Sequence, residues 1–95
     1  MPEPTLLILA SLAGGEKHGY AMIQDIERFA GVRLGPGTLY GAITRLEAQG
    51  WIRAVHSADR RQPYSITPKG NARLAEEIQQ LARITQTAKV RMKKA

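Results

Sequence analysis

Cysteine is absent from the 95-residue sequence, which removes disulfides, thiol nucleophiles and cysteine-ligated zinc and fits a reducing compartment. Histidine occurs only at His18 and His56. Two histidines without cysteine make a poor ligand set, so neither a metal nor another cofactor is expected. No apolar run approaches the roughly 20 residues of a bilayer span, and the N-terminus lacks the basic-then-apolar order of a secretion signal. The expected location is therefore cytoplasmic, with no membrane partner. Gly35, Pro36 and Gly37 are followed by no Gly-Lys-Ser/Thr, which rules out a phosphate loop. No nucleophile, base and orienting acid fall together, so an enzyme is not expected. Acidic residues are in short supply, 8 against 14 Lys and Arg, leaving a formal charge of +6 and a pI near 10.2. Such a balance on so short a chain favours polyanions, nucleic acid first.

What is present is a chain 43% apolar, enough for one small core and not for two. Its most informative stretch is Gly35 to Gly50. Leu39, Ala42, Ile43 and Leu46 recur at i, i+3, i+4 and i+7, giving a helix one apolar side. Gly35 can serve as N-cap, Pro36 fits the first helical position, and Gly50 is a ready stop. The outward side carries Thr38, Tyr40, Thr44 and Arg45, with almost no bulk at Gly37 and Gly41. That surface suits a helix that enters a groove closely; the bland reading is an amphipathic helix with a solvated face.

Met1 to Pro4 reads as a short arm and Thr5 as a cap for the helix after it. Leu6, Leu7, Ile8, Leu9, Ala10 and Leu12 are apolar nearly all round, which predicts cover on more than one side, with a second subunit as the additional cover. Gly14 and Gly15 end this helix. From His18 to Ala30 a second helix turns Tyr20, Ile23, Ile26 and either Phe29 or Ala30 inward and leaves Gln24, Asp25, Glu27 and Arg28 wet. His18 caps or packs at its start, and Gly31 closes it. The short link Val32, Arg33 and Leu34 leads into the groove-facing helix, a helix-turn-helix arrangement. After Gly50, Trp51 to His56 and Tyr64 to Thr67 read as two strands around the polar turn Ser57 to Pro63. This hairpin, with Arg60 and Arg61 at its tip, must pack on the helices through Ile52, Tyr64 and Ile66.

Thr67 as N-cap and Pro68 in the first turn announce the last helix. Along it Leu74, Ile78, Leu81, Thr85, Ala88 and Met92 are spaced 4-3-4-3-4, a heptad seam that predicts pairing with a second copy or with a partner's first helix. The expected fold is mainly α with a small two-stranded β wing: a winged helix-turn-helix over residues 1–67 and a C-terminal dimerisation helix over 68–95. The expected dimer interface is Leu6, Leu9, Leu74, Ile78, Leu81, Thr85, Ala88 and Met92.

The order HGYAMIQDI, LGPGTLYGAITRLEAQGWI and RRQPYSITPKG resembles the PadR family of bacterial winged-helix transcriptional regulators, from Leu6 to about Glu77. The resemblance implies a homodimer joined through its C-terminal helix, usually a repressor of a nearby operon, and in some members a small-molecule inducer. A small aromatic ligand is the corresponding candidate here, with Trp51 as a stacking surface or, more plainly, a wing anchor. The resemblance also places the recognition helix at Pro36 to Gln49 and the wing at Trp51 to Thr67. Gly35 stands where the family often has serine, and the short run after Met92 resembles the short subfamily.

On this reading Gly37, Thr38, Tyr40, Thr44, Arg45, Arg60, Arg61 and Lys69 are the candidate contacts to double-stranded DNA. Tyr40 reads either as a phosphate or base-edge contact or as a half-buried ring closing the turn. Arg45 suits a guanine fork or a phosphate equally. The expected function is a sequence-specific DNA-binding regulator, a homodimeric repressor on an inverted repeat. The alternative is a winged-helix protein-interaction module that binds no DNA.

Overall fold

The helix at the centre is α1 (Pro4–Ala13), and the rest of the chain is wrapped on it in a computed structural model that describes residues 3–94. Leu7, Ile8, Leu9 and Leu12 are each at most 3% exposed, packed on α2 (Gly19–Ala30), α3 (Pro36–Ala48) and α4 (Pro68–Lys94). Most of the apolar surface of α1 is thus covered within one chain, while Leu6 and Ala10 keep part of theirs exposed. Leu9, expected at a dimer interface, is wholly buried in this core, and Leu74 at 8% exposure belongs to the same cluster. Leu6 is only partly buried against it. The expected cap at Thr5 moves back to Glu3, the α1 N-cap, with the Thr5 hydroxyl donating to Glu3 Oε1 at 3.2 Å. Met1 and Pro2 of the expected arm lie outside the described residues.

The sheet has three strands, not two. β1 (Lys17–His18), β2 (Ile52–Ala54) and β3 (Pro63–Ile66) lie in the order β1-β3-β2, all antiparallel. Lys17 pairs with Tyr64 on one side of β3, and Ile52 pairs with Ile66 on the other. A lone hairpin is marginal in water, and the third strand ties this one to the turn ahead of α2. Ile52 is 2% exposed, with Tyr64 and Ile66 partly buried against the core, as the alternation predicted.

In α2 the inward set is Gly19, Met22, Ile23 and Ile26. Tyr20, expected inside, is 55% exposed; of the alternatives Phe29 and Ala30, Phe29 is 51% exposed and Ala30 packs on the core. Gly31 closes the helix at φ 67°, a left-handed conformation open to glycine at no steric cost. Asp25, expected in solvent, joins a polar knot. It accepts from the buried Ser11 hydroxyl at 2.7 Å and pairs with Lys17 at 3.9 Å and Arg28 at 3.6 Å. Lys17 also donates to the Ser11 carbonyl at 2.6 Å, which locks α1, β1 and α2 together.

α4 is 27 residues long, about 40 Å at 1.5 Å per residue, and gives the molecule its 56 Å long axis. Gly70 and Leu74 are buried in the body. Beyond them Ile78, Leu81, Ile84 and Met92 are exposed by 55%, 44%, 59% and 76%. Among the described residues, no helix is long and apolar enough to cross a membrane.

Candidate nucleic-acid interface

α3 takes its phase from four buried side chains, Leu39, Ala42, Ile43 and Leu46, and its start from Pro36 after the extended Gly35. That leaves Gly37, Thr38, Tyr40, Gly41, Thr44 and Arg45 exposed, the outward face expected from the spacing. Thr44 donates its hydroxyl proton to the Tyr40 carbonyl at 3.0 Å, so toward a ligand it offers lone pairs and a methyl group. The Arg45 guanidinium lies back over Gly41, where a Cβ would stand 3.9 Å from Nη1.

Tyr40 is half-exposed at 48%, and its ring lies across the backbone of Gly19. A Cβ there would meet the hydroxyl and stand 2.7 Å from Cζ. Glycine at 19 is therefore what lets the Tyr40 ring lie over the start of α2. One residue earlier, His18 caps α2, with Nδ1 accepting from the Ala21 amide at 3.3 Å. On the far side of its ring, Nε2 stands 3.2 Å from Arg61 Nη1. The dipeptide His18-Gly19 thus joins the exposed face of α3 to the wing.

The wing loop is held by side chains that its composition alone did not single out. Gln62 donates to the carbonyls of Val55 and Pro63 at 2.9 and 2.8 Å. Ser57 accepts from the Asp59 amide at 3.0 Å, and Asp59 accepts from the Arg60 amide at 2.6 Å. Arg60 and Arg61 are exposed at this tip. Among the described residues, neither they nor Arg45 nor Lys69 enters an ion pair. Lys69 lies at the start of α4. Its stem runs beside Gly50, 3.7 Å from where a Cβ would be, at the C-terminal end of α3, where a cation complements the helix dipole.

Thr67 ties the wing to α4. Its hydroxyl donates to the Gly50 carbonyl at 2.6 Å and accepts from the Gly70 amide at 3.0 Å, while its own amide donates to the Trp51 carbonyl at 3.0 Å. Gly70 has no room for a side chain, since a Cβ would collide with the Trp51 carbonyl. The Arg73 guanidinium lies 5.2 Å from the Trp51 ring centroid and binds Glu77 at 2.7 Å. Trp51, just ahead of β2, therefore anchors the wing to α4. Burial, then the charge of Glu47, then Tyr40 push the Tyr64 phenol above its ordinary value, so it stays neutral beside α3. No group of three or more metal-ligating side chains occurs among the described residues.

The expected interface residues Ile78, Leu81, Thr85, Ala88 and Met92 all lie on the exposed part of α4. Ile84, which the strict heptad spacing passed over, flanks the same stripe. With Arg83, Thr87, Ala88 and Arg91 it lines a shallow, open groove of about 470 Å³.

Known proteins match this arrangement. The model of the transcriptional regulator PadR-like family matches residues 8–76. The transcriptional regulator Rv3488 of Mycobacterium tuberculosis (strain ATCC 25618 / H37Rv) is 39% identical over 84 residues, covering 82% of this chain and 78% of that protein. An uncharacterized 37.1 kDa protein in transposon TN4556 of Streptomyces fradiae is 44% identical over 83 residues, covering 87% of this chain. The chain spans about a quarter of that protein's length, 24%. Among solved structures, a PadR family transcription regulator from hypervirulent Clostridium difficile R20291 superposes with a TM-score of 0.82 at 24% identity, covering 88% of this chain and 92% of that one. With α1 at its centre, α2 and α3 as the helix-turn-helix and a β2–β3 wing tied back by β1, the chain belongs to the PadR-like family of winged-helix transcriptional regulators.

Proposed function

We propose that the chain acts as a homodimeric, sequence-specific repressor in the cytoplasm, binding an inverted repeat with one α3 in the major groove of each half-site. The observation that carries this reading is the junction at His18-Gly19. Tyr40 of α3 lies on Gly19 and Arg61 of the wing meets the adjacent His18, so the recognition helix and the wing tip come together on one face. Thr38, Tyr40, Thr44 and Arg45 read bases or hold phosphates there. Arg60 and Arg61, which have no carboxylate partner among the described residues, supply sequence-independent, salt-sensitive affinity. Residues 1–67 read DNA, and residues 68–95 join the subunits through Ile78, Leu81, Thr85, Ala88 and Met92, with Ile84 at the edge. Pairing of α4 sets the two reading helices one duplex turn apart. A small aromatic ligand acting near that joint and releasing DNA completes the reading.

Selection of bound duplexes from a random pool, with the mass of the complex measured, tests it. The expected product is a two-fold-related motif with half-sites about 10 base pairs apart and two chains per duplex. A pool that stays random with the protein bound elsewhere, on another polypeptide, favours the interaction-module alternative.

A further inference from the structure

His18 is asked for more lone pairs than it has. Its Nδ1 faces the Ala21 amide at 3.3 Å and its Nε2 faces the Arg61 guanidinium at 3.2 Å. Both neighbours are donors and neither can accept. A neutral imidazole carries one N–H and one bare nitrogen, so it can accept only one hydrogen bond at a time. With the proton on Nε2, the α2 cap is made and Arg61 faces an N–H. With the proton on Nδ1, Arg61 is held and the first turn of α2 loses its side-chain cap.

We propose that His18 is a positioning residue of the DNA-facing surface: its single lone pair is contested by wing Arg61 and by the α2 cap, and capture of Arg61 by a phosphate hands that lone pair to the cap. Removing the guanidinium from Nε2 moves the proton there and closes the cap on Ala21. The helix whose first residue, Gly19, seats Tyr40 is thereby stiffened as the wing docks. Wing engagement and the footing of the recognition helix become one coupled event. This coupling rests on the proposed wing–phosphate contact, but the contest for the lone pair exists in the free protein.

The test is the tautomer of His18, read from long-range proton–nitrogen correlations on the nitrogen-15-labelled full chain at a pH where imidazole is neutral, with exposed His56 as internal control. Arg61→Ala should move the His18 Nδ1 resonance toward its unprotonated position and the Nε2 resonance toward its protonated one. Arg60→Ala removes the same charge one residue away and should leave both in place. An unmoved His18 in Arg61→Ala, or an equal shift in Arg60→Ala, overturns the proposal. Adding a bound operator duplex to the wild-type chain should reproduce the Arg61→Ala shift. If the variant shifts and the duplex does not, although a gel-shift shows it bound, the tautomer contest stands and the wing–phosphate reading falls.

Discussion

The Tyr40 ring rests on the bare backbone of Gly19, so closely that a methyl group on residue 19 would collide with the phenol. This contact holds the Tyr40 ring on the exposed side of α3, over the start of α2. Gly19→Ala forces the ring outward into solvent. Alanine is the better helix former by up to about 1 kcal/mol, so thermal stability should change little. Operator affinity should fall by roughly tenfold, or about 1.4 kcal/mol. Unchanged affinity in the folded variant would remove Tyr40 from the contact surface.

Arg60 and Arg61 stand exposed at the wing tip with no acidic partner among the described residues. Replacing both by alanine should weaken operator and random DNA alike and lower the salt slope of binding by about one to two units. Titrations at several salt concentrations decide this; a slope equal to that of the wild type places the wing off the duplex. Changes at Thr44 or Arg45 should instead relax preference at particular base pairs.

Thr67 closes three segments with one hydroxyl, accepting from Gly70 and donating to Gly50. Thr67→Val keeps the shape and removes both bonds. The expected loss is about 1–2 kcal/mol in urea unfolding. Thr67→Ser should recover most of it, and equal losses in the two variants would show that the methyl group, not the hydroxyl, matters there.

The seam along α4 divides in two. Leu74 lies in the core of its own chain, so Leu74→Ala should cost about 2–4 kcal/mol of stability. Ile78 and Leu81 are exposed, so Ile78→Glu with Leu81→Glu should leave the fold intact and split the proposed dimer, which sedimentation would reveal. A double variant that keeps the mass of a dimer would move the joint elsewhere.

Burial and the nearby Glu47 raise the Tyr64 phenol above its ordinary value. The unfolded chain therefore loses this proton first as pH rises, and above about pH 10 the folded state binds more protons than the unfolded one. The stability contributed by neutral Tyr64 is present below the unfolded value and is lost as pH climbs through the folded one. Tyr64→Phe should flatten this alkaline decline in unfolding measurements. An identical decline in the variant would assign it to other groups.

Much of this was legible because periodicity reports burial directly. Leu39, Ala42, Ile43 and Leu46 set the phase of α3 in the sequence and keep it in the structure, and Pro36, Gly31 and Thr67 mark boundaries through backbone chemistry that acts locally. In α2 the spacing places Ile23 and Ile26 inside, as the structure does, and errs at Tyr20. The inward row begins at Gly19 and Met22, and a glycine contributes no hydrophobic signal, so the pattern favours Tyr20 in its place. β1 was invisible because two residues are too few to show a period of two; Lys17 and His18 extend only because β3 offers them an edge.

Spacing and composition alone determined that one small basic domain would present an exposed helix face and an arginine-tipped hairpin, since helical period, turn chemistry and net charge are properties of neighbouring residues. Tertiary structure alone decided which partners those residues meet. It put Leu9 and Leu74 inside their own chain, Trp51 under Arg73, and His18 between the wing and the amide of Ala21. Contacts such as the 43-residue separation between His18 and Arg61 depend on how whole elements pack around α1, and no local pattern encodes that packing.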